Sequence, residues 1–310
     1  MTKTANPEWD LVIVGYGLTG LAAAMYAGRL ELKTVLVGEI PGGLITWTDL
    51  VENYPGFKRL TGQELTAKLR EHAQEYNVPM DLGKIDSIAK LPNGFFELKS
   101  ESKTYVSKTV LVATGTKVRE LDVSGSKEFK NKGIQFCALC DAPLYKGKDV
   151  ALIGGSDSAA KEAIVLSRYA KKVYVVYRGK QLRAEPPNME RLKKISNIEY
   201  VLETNVAAFK GTKFLEKIEL DKAHNGKKEL SVSAAFVSIG HLPLSELAKP
   251  LGVKTNSAGE IIVNRNSETN IPGIFAAGDV VDTRFKQAIV GVGEAVSAVY
   301  SALQFITGKN

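Results

Sequence analysis

Both cysteines of this 310-residue chain stand two residues apart, in Cys137-Ala138-Leu139-Cys140-Asp141. A thiol pair at that spacing suits redox exchange, shared metal ligation or two inert buried thiols. Zinc would need two more ligands, because structural zinc is almost always four-coordinate. The only histidines are His72, His224 and His241, and none is paired in spacing, so no metal site is expected. In a reducing compartment a close pair points to catalysis or metal binding before a static staple.

A second group of residues could hold phosphates. Gly15-Tyr16-Gly17-Leu18-Thr19-Gly20 follows the apolar run "LVIV" and opens an alanine-rich helical stretch, with "TVLV" beyond it. In such a loop Gly15 permits the tight turn and Gly17 lets backbone approach a pyrophosphate. Gly20 lets helix and strand pack closely. The helix N-terminus then offers unpaired N–H groups and a positive dipole end. Glu39 lies about 20 residues on, at the place of an acid that binds a ribose, although Gly38 directly ends the strand. The plan returns at Asp149–Glu185 with Gly154-Gly155-Ser156-Asp157-Ser158-Ala159. Here Ser156 replaces a glycine, and Arg178 and Arg183 stand where cations suit a 2′-phosphate. Two such units suggest two dinucleotides, or one long-lived cofactor and one visiting reductant.

The elements that must position these residues form an α/β chain with buried parallel sheets, since apolar strands alternate with helical stretches. Two further strands end at Ala113-Thr114-Gly115 and at Ile239-Gly240. The whole second unit lies between them, which makes it an insertion into the first. The chain returns through "GIFAA" to Gly278-Asp279 and a small-residue helix from Gly291 onward. An acid at a strand's carboxyl end fits a ligand crevice of an open α/β sheet. Composition is that of a globular protein, 44% hydrophobic and 24% charged. The net charge of +7 is spread over scattered lysines, which reads as a solvated basic surface, with no nucleic acid as partner. No run of about 18 apolar residues is apparent, so no membrane span is expected. The start "MTKTANPEWD" lacks an apolar signal core, and a cytoplasmic location follows as the expectation.

Together with "GGLITWTDLVENYPGF" (42–57), "NIPGIFAAGDV" and "FKQA", these motifs resemble the low-molecular-weight thioredoxin reductases over nearly the whole chain. The resemblance implies a homodimer of two Rossmann-like domains. An FAD-binding domain (1–115 and 246–310) would be interrupted by a pyridine-nucleotide domain (116–245) carrying a redox-active Cys137–Cys140 disulfide. It implies FAD contacts at Gly15, Gly17, Thr19, Gly20, Glu39, Gly43, Leu44, Asn53 and Ile85. Further FAD contacts would come from Thr114, Gly115, Gly278, Asp279, Lys286, Gln287 and Ala288. NADPH contacts would come from Gly154, Gly155, Ser156, Ser158, Arg178, Arg183, Ile239 and Gly240. Leu44 and Lys286 stand where the family has glutamine and arginine. Tyr177, Gly179 and Ser156 depart from the second loop's pattern, leaving two of three phosphate-binding arginines. Electrons would pass from NADPH through FAD to the disulfide, then to thioredoxin or a thioredoxin/glutaredoxin-like protein. Cys140 would face the flavin, Cys137 would attack the partner, and Asp141 would carry a proton. Hinges for a rotating inserted domain would sit near 116 and 245. Alternatives are a flavoprotein using NADPH poorly or taking another donor, one serving another acceptor, and a non-enzymatic flavoprotein.

Overall fold

The computed structural model describes residues 7–48 and 50–308; the first six residues, Asp49 within the 42–57 motif, and the last two lie outside it. The chain is organised as two compact units, 1–117 with 242–310 and 118–241. The inserted unit thus spans 118–241, against the expected 116–245.

In the first unit, β1 (Trp9–Val14) runs into α1 (Leu18–Arg29), followed by β2 (Thr34–Gly38), α2 (Gly62–Gln74), β3 (Met80–Leu82), β4 (Ile85–Lys90), β5 (Phe96–Ser100) and β6 (Thr104–Val112). Parallel pairing sets β1 between β2 and β6, while β4, β5 and β6 form an antiparallel meander at one side. Both faces of the parallel strands are buried, which is why they read as continuous apolar runs. Leu11 and Ile13 face the alanines of α1, and Val12 and Val14 pack on the opposite side with Val35, Val110 and Ile274. α2 begins at a capping box, in which Thr61 and Glu64 satisfy each other's backbone amides.

The chain crosses at β7 (Thr116–Val118) into the second unit. There β8 (Ile134–Gln135), α3 (Ala138–Asp141), β9 (Asp149–Ile153), α4 (Asp157–Ser167), β10 (Lys172–Tyr177), α5 (Pro186–Leu192) and β11 (Ile198–Leu202) follow. Next come β12 (Val206–Gly211), β13 (Leu215–His224), β14 (Lys227–Ser231) and β15 (Ala234–Val237). A parallel sheet ordered β11-β10-β9-β15-β8 carries α3, α4 and α5 on one face. The antiparallel sheet β12-β13-β14 packs on its other face through Phe209, Ile218 and Leu220. The return strand β16 (His241–Pro243) lies beside β7, and β17 (Ile274–Ala276) then adds to β6 in parallel. α6 (Ala288–Thr307) closes the first unit by packing small residues, Ala295, Ala298 and Ala302, against the same core as α1. Both units are therefore Rossmann-like, the second inserted in the first, with antiparallel sheets that the expectation of parallel sheets lacked.

α6 also corrects the expectation that no long apolar segment exists. Its 20 residues reach a mean hydropathy of 1.5, enough to cross a bilayer by length and composition alone, with a third of that window buried in the fold. A core helix passes the same test, and interspersed small residues hide it from a scan for uninterrupted large apolar ones.

Candidate functional site

The first glycine loop is built by close backbone approach. Gly15 sits at φ +126°, and a Cβ there would lie 2.0 Å from the Ala113 carbonyl oxygen. A Cβ on Gly20 would come 1.9 Å from the Gly15 oxygen. Gly17 is different: its nearest neighbour would be 3.9 Å away, so the space above it is open. It N-caps α1 without a side-chain hydrogen bond, and no acid occupies the first turn. The first amides of α1 thus have no capping side chain, as an anion site requires.

Other candidates gather around this loop within the first unit. The Gly42 amide donates to the Tyr16 carbonyl at 2.7 Å, which seats Gly43 and half-buried Leu44 beside the loop. Exposed Glu39 follows β2, and the Gly83 amide donates to Gly38 at 3.1 Å, bringing the start of β4 to the same end. Ile85 is there, but its side chain belongs to the core, leaving only backbone for a ligand. Gly115, at φ +66°, has open space around its Cα, and the Thr114 hydroxyl donates to the Leu244 carbonyl at 2.7 Å.

Gly278 and Asp279 end β17, and Thr19 on α1 presses against this turn: a Cβ on Gly278 would meet the Thr19 hydroxyl at 2.6 Å. Asn53 Nδ2 donates to Gln287 Oε1 at 2.8 Å, joining two candidates 234 positions apart. Gln287 N-caps α6, again without a side-chain cap and with no acid in the first turn, and Ala288 is its first residue. Lys286 is already engaged: its ammonium pairs with Glu260 at 2.9 Å and donates to the Val281 carbonyl. Two helices of one unit thus begin without side-chain caps. That donor set suits a dinucleotide with a pyrophosphate and polar chain.

The second loop starts in the same way. Gly154, at φ +150°, would place a Cβ 2.1 Å from the Ser238 carbonyl, beside Ile239 and Gly240 at the end of β15. From there it diverges. The Ser156 hydroxyl caps α4 by accepting from the Ala159 amide, and Asp157 occupies the first turn, with exposed Ser158 next to it. Asp157 accepts from the Glu185 amide and Asn188, each at 2.8 Å, and pairs with Lys161 at 3.0 Å. Burial pushes its carboxyl up, but these partners outweigh it and hold the group below its ordinary range. Gly155 lies against the ring of Tyr177, where a Cβ would be 2.4 Å from Cγ, and Gly179 meets the same ring. Arg178 and Arg183 are exposed, and the Arg183 amide donates to the Gly155 carbonyl at 2.7 Å. Glu162, one turn further along α4, receives the Ser238 hydroxyl at 2.9 Å, while its other carboxylate oxygen is buried with no partner. Burial pushes its pKa up to about 7.

Cys137 and Cys140 are joined as a disulfide with Cα atoms 5.4 Å apart, within the usual range for such bonds. Cys137 caps α3, its sulfur accepting from the Cys140 amide at 3.1 Å. Ala138 and Ala142 seat this turn on Ala159, Ala160 and Ala163 of α4. Cys137 is buried and Cys140 exposed. Burial raises the pKa of Asp141, which favours its holding a proton beside the sulfurs. Among the described residues no group of three or more His, Cys, Asp or Glu could hold a metal ion.

Sequence reasoning missed Glu162, Glu260, Glu294 and the packing of the two tyrosines, Tyr16 and Tyr177, on their glycines. Aligning the two loops with each other would have flagged Glu162, which falls where the first copy has Ala23. No local pattern marks Glu260 or Glu294.

Residues 9–295 match the family described as pyridine nucleotide-disulphide oxidoreductase. A thioredoxin reductase of Ureaplasma parvum is 38% identical over 304 residues, covering 97% of this chain and 98% of the relative. The Bacillus subtilis thioredoxin reductase is 33% identical, covering 96% and 95%. The crystal structure of Lactococcus lactis thioredoxin reductase in its FR conformation superposes with a TM-score of 0.93 at 32% identity, covering 97% and 100%. With an uncapped and a self-capped glycine loop on two Rossmann-like units, and a joined cysteine pair on the second, this chain belongs to the pyridine nucleotide-disulphide oxidoreductase family.

Proposed function

We propose that the protein is an FAD-dependent thioredoxin-disulfide reductase, drawing electrons from NADPH and delivering them to thioredoxin or a thioredoxin/glutaredoxin-like protein. The observation that carries this reading is the Cys137–Cys140 disulfide with Asp141 beside it, on the unit that bears the second nucleotide loop. The first unit holds FAD: the α1 amides and Gly17 take the pyrophosphate, Glu39 the ribose, and the turns at Gly115, Gly278–Asp279 and Gln287–Ala288 the remainder. The second unit takes NADPH at Gly154–Ser156, with Arg178 and Arg183 reaching its 2′-phosphate.

Bound FAD supplies the two-electron chemistry, accepting a hydride and returning an electron pair to the disulfide. The protein's own groups do the rest. Cys140 receives the electron pair, and the Cys140 amide steadies negative charge on Cys137. Cys137 then attacks the partner's disulfide to form a mixed disulfide, and Cys140 displaces the partner as a dithiol, restoring the Cys137–Cys140 bond. Asp141 holds the proton that the outgoing sulfur takes up. Cys137 is buried in this conformation. Its attack therefore follows a movement, for which the crossings at 116–118 and 241–243 are the hinges. We further read the protein as a cytoplasmic homodimer, with α6 as a core helix and neither a membrane nor nucleic acid as partner.

Anaerobic titration of the flavoprotein with NADPH, followed by dithionite, tests the donor. Bleaching by dithionite alone would remove NADPH from the scheme. Replacement of Cys140 by Ser should abolish thioredoxin reduction and leave flavin bound; full activity with a dithiol partner would defeat the cysteine assignment.

A further inference from the structure

Between β17 and α6 the chain runs from Gly278 to Gln287 with no helix or strand to define it. This stretch nevertheless begins with Gly278–Asp279 and ends with Lys286–Gln287, all lining one small cleft with Thr283, Val290, Gly291 and Glu294. Something must give an irregular segment a single shape.

Glu294 lies in the second turn of α6, and helical side chains lean toward the helix N-terminus, which aims its carboxylate back into the loop. One oxygen, Oε2, accepts from the Gly278 amide at 2.8 Å, and the other accepts from the Thr283 hydroxyl. A single side chain thus clasps the loop at two points five residues apart. It also satisfies a backbone amide at a turn that only glycine adopts, Gly278 having φ +82°. The approach is enforced from both sides. Gly291 on α6 would bring a Cβ to 2.7 Å from the Thr19 hydroxyl and 3.1 Å from the Gly278 Cα, so the helix reaches the turn only because residue 291 lacks a side chain. Thr19, from the first turn of α1, closes the other side. The loop's far end is tied separately, by Lys286 to Glu260 and by Gln287 to Asn53.

We propose that Glu294 is a positioning residue for FAD: it sets the Gly278–Asp279 turn and the Thr283 segment so that the flavin half of the cofactor meets a preformed surface. This inference rests on the reading of the first unit as the FAD site. Glu294 acts through Gly278 and Thr283 and spends its acceptor oxygens on them, which is how a carboxylate can stand beside a phosphate-bearing ligand. Gln can reproduce the clasp, its carbonyl accepting from Gly278 and its amide donating to a rotated Thr283 hydroxyl. Ala cannot, and leaves a backbone amide without its partner.

The test uses full-length protein carrying Glu294→Ala or Glu294→Gln. FAD retention is followed by flavin fluorescence on dilution of the holoprotein, and ADP binding is measured on the flavin-depleted chain. Because ADP occupies only the α1 loop and Glu39, it reports whether the first unit is otherwise intact. The Ala variant should lose FAD affinity by at least 10-fold, with altered fine structure in the visible flavin band, and keep its ADP affinity. The Gln variant should remain within about 3-fold of wild type. Unchanged FAD affinity in the Ala variant would overturn the proposal, as would parallel loss of FAD and ADP, or a Gln variant as weak as Ala. A wild-type chain that binds no FAD at all would instead overturn the reading of the first unit, a distinct result.

Discussion

The two glycine loops start from one plan and end as different instruments. Pairing Gly15 with Gly154 pairs Gly17 with Ser156, Ala23 with Glu162, Gly38 with Tyr177, and Glu39 with Arg178. In the first loop the aromatic stands on the loop and the glycine on the strand: a Cβ on Gly38 would lie 2.5 Å from the Tyr16 amide nitrogen. In the second the roles are exchanged, Tyr177 on the strand covering Gly155 on the loop. At residue 38 a side chain would strike the loop's backbone, and at residue 155 it would strike the Tyr177 ring, so each contact requires glycine for its own reason. This explains why no acid directly ends β2. The helix ends differ in the same spirit. α1 offers bare amides, whereas α4 is already capped by Ser156 and carries the ionised Asp157 in its first turn. A phosphate arriving at α4 must displace a hydroxyl and tolerate a nearby negative charge. This contrast supports the proposal that the first loop holds FAD and the second receives NADPH.

That contrast can be broken most forcefully at the exchanged ring. Gly155→Ala drives a Cβ into Tyr177, and overpacking of this kind costs about 3 kcal/mol at the upper end of its usual range. Denaturant unfolding should show that loss, with most of it restored in the double variant with Tyr177→Ala. Gly38→Ala meets backbone instead, so removing the Tyr16 ring should not rescue it. Rescue in both pairs, or in neither, would break the symmetry argument.

Glu162, standing where the first copy has Ala23, comes next. Its folded pKa of about 7 lies above the model-peptide range near 4.5, so the native state holds the proton more tightly than the unfolded chain. The associated stability is complete below about pH 4.5 and is lost as pH rises through 7, a change of at most about 3 kcal/mol. Glu162→Gln should flatten that part of the pH–stability curve and leave the variant more stable than wild type at pH 8. A curve unchanged by the substitution would show that burial does not retain the proton.

Exchanging the caps should move ligand affinity in opposite directions. Gly17→Ser brings a self-capping hydroxyl to the first loop without a steric clash, and FAD affinity should fall by about 10- to 30-fold, read as flavin content and release rate. Ser156→Gly frees the α4 amides, and NADPH affinity should rise by about 3- to 5-fold in equilibrium titration, the smaller effect because Asp157 remains. If both substitutions weaken binding, the cap at Ser156 is helping to shape the NADPH site.

Much of this was legible in local sequence because the causes are local. A strand, a glycine turn and a helix are specified within about 30 residues by apolar runs and by positions that admit no side chain. The two-residue gap between Cys137 and Cys140 lies within one helical turn, so the chemistry open to the pair was readable too. Partnership across the chain was not. Lys286 and Ile85 are both expected FAD contacts, but nothing local marks that Glu260 pairs with the first or that the side chain of the second lies in the core. A small-residue helix was expected at α6, but its length and hydropathy were not, because small residues rather than large ones make its packed face.

By itself, then, the sequence determined the duplicated nucleotide folds, the insertion of one within the other and the paired thiols, since each follows from short-range periodicity and steric exclusion. Only the tertiary structure decided that Glu294 clasps Gly278, that Tyr16 and Tyr177 exchange places with their glycines, and that Cys137 is the buried sulfur. Those outcomes depend on which surfaces the folded chain brings within a few ångströms, and residues far apart in sequence carry no local mark of that meeting.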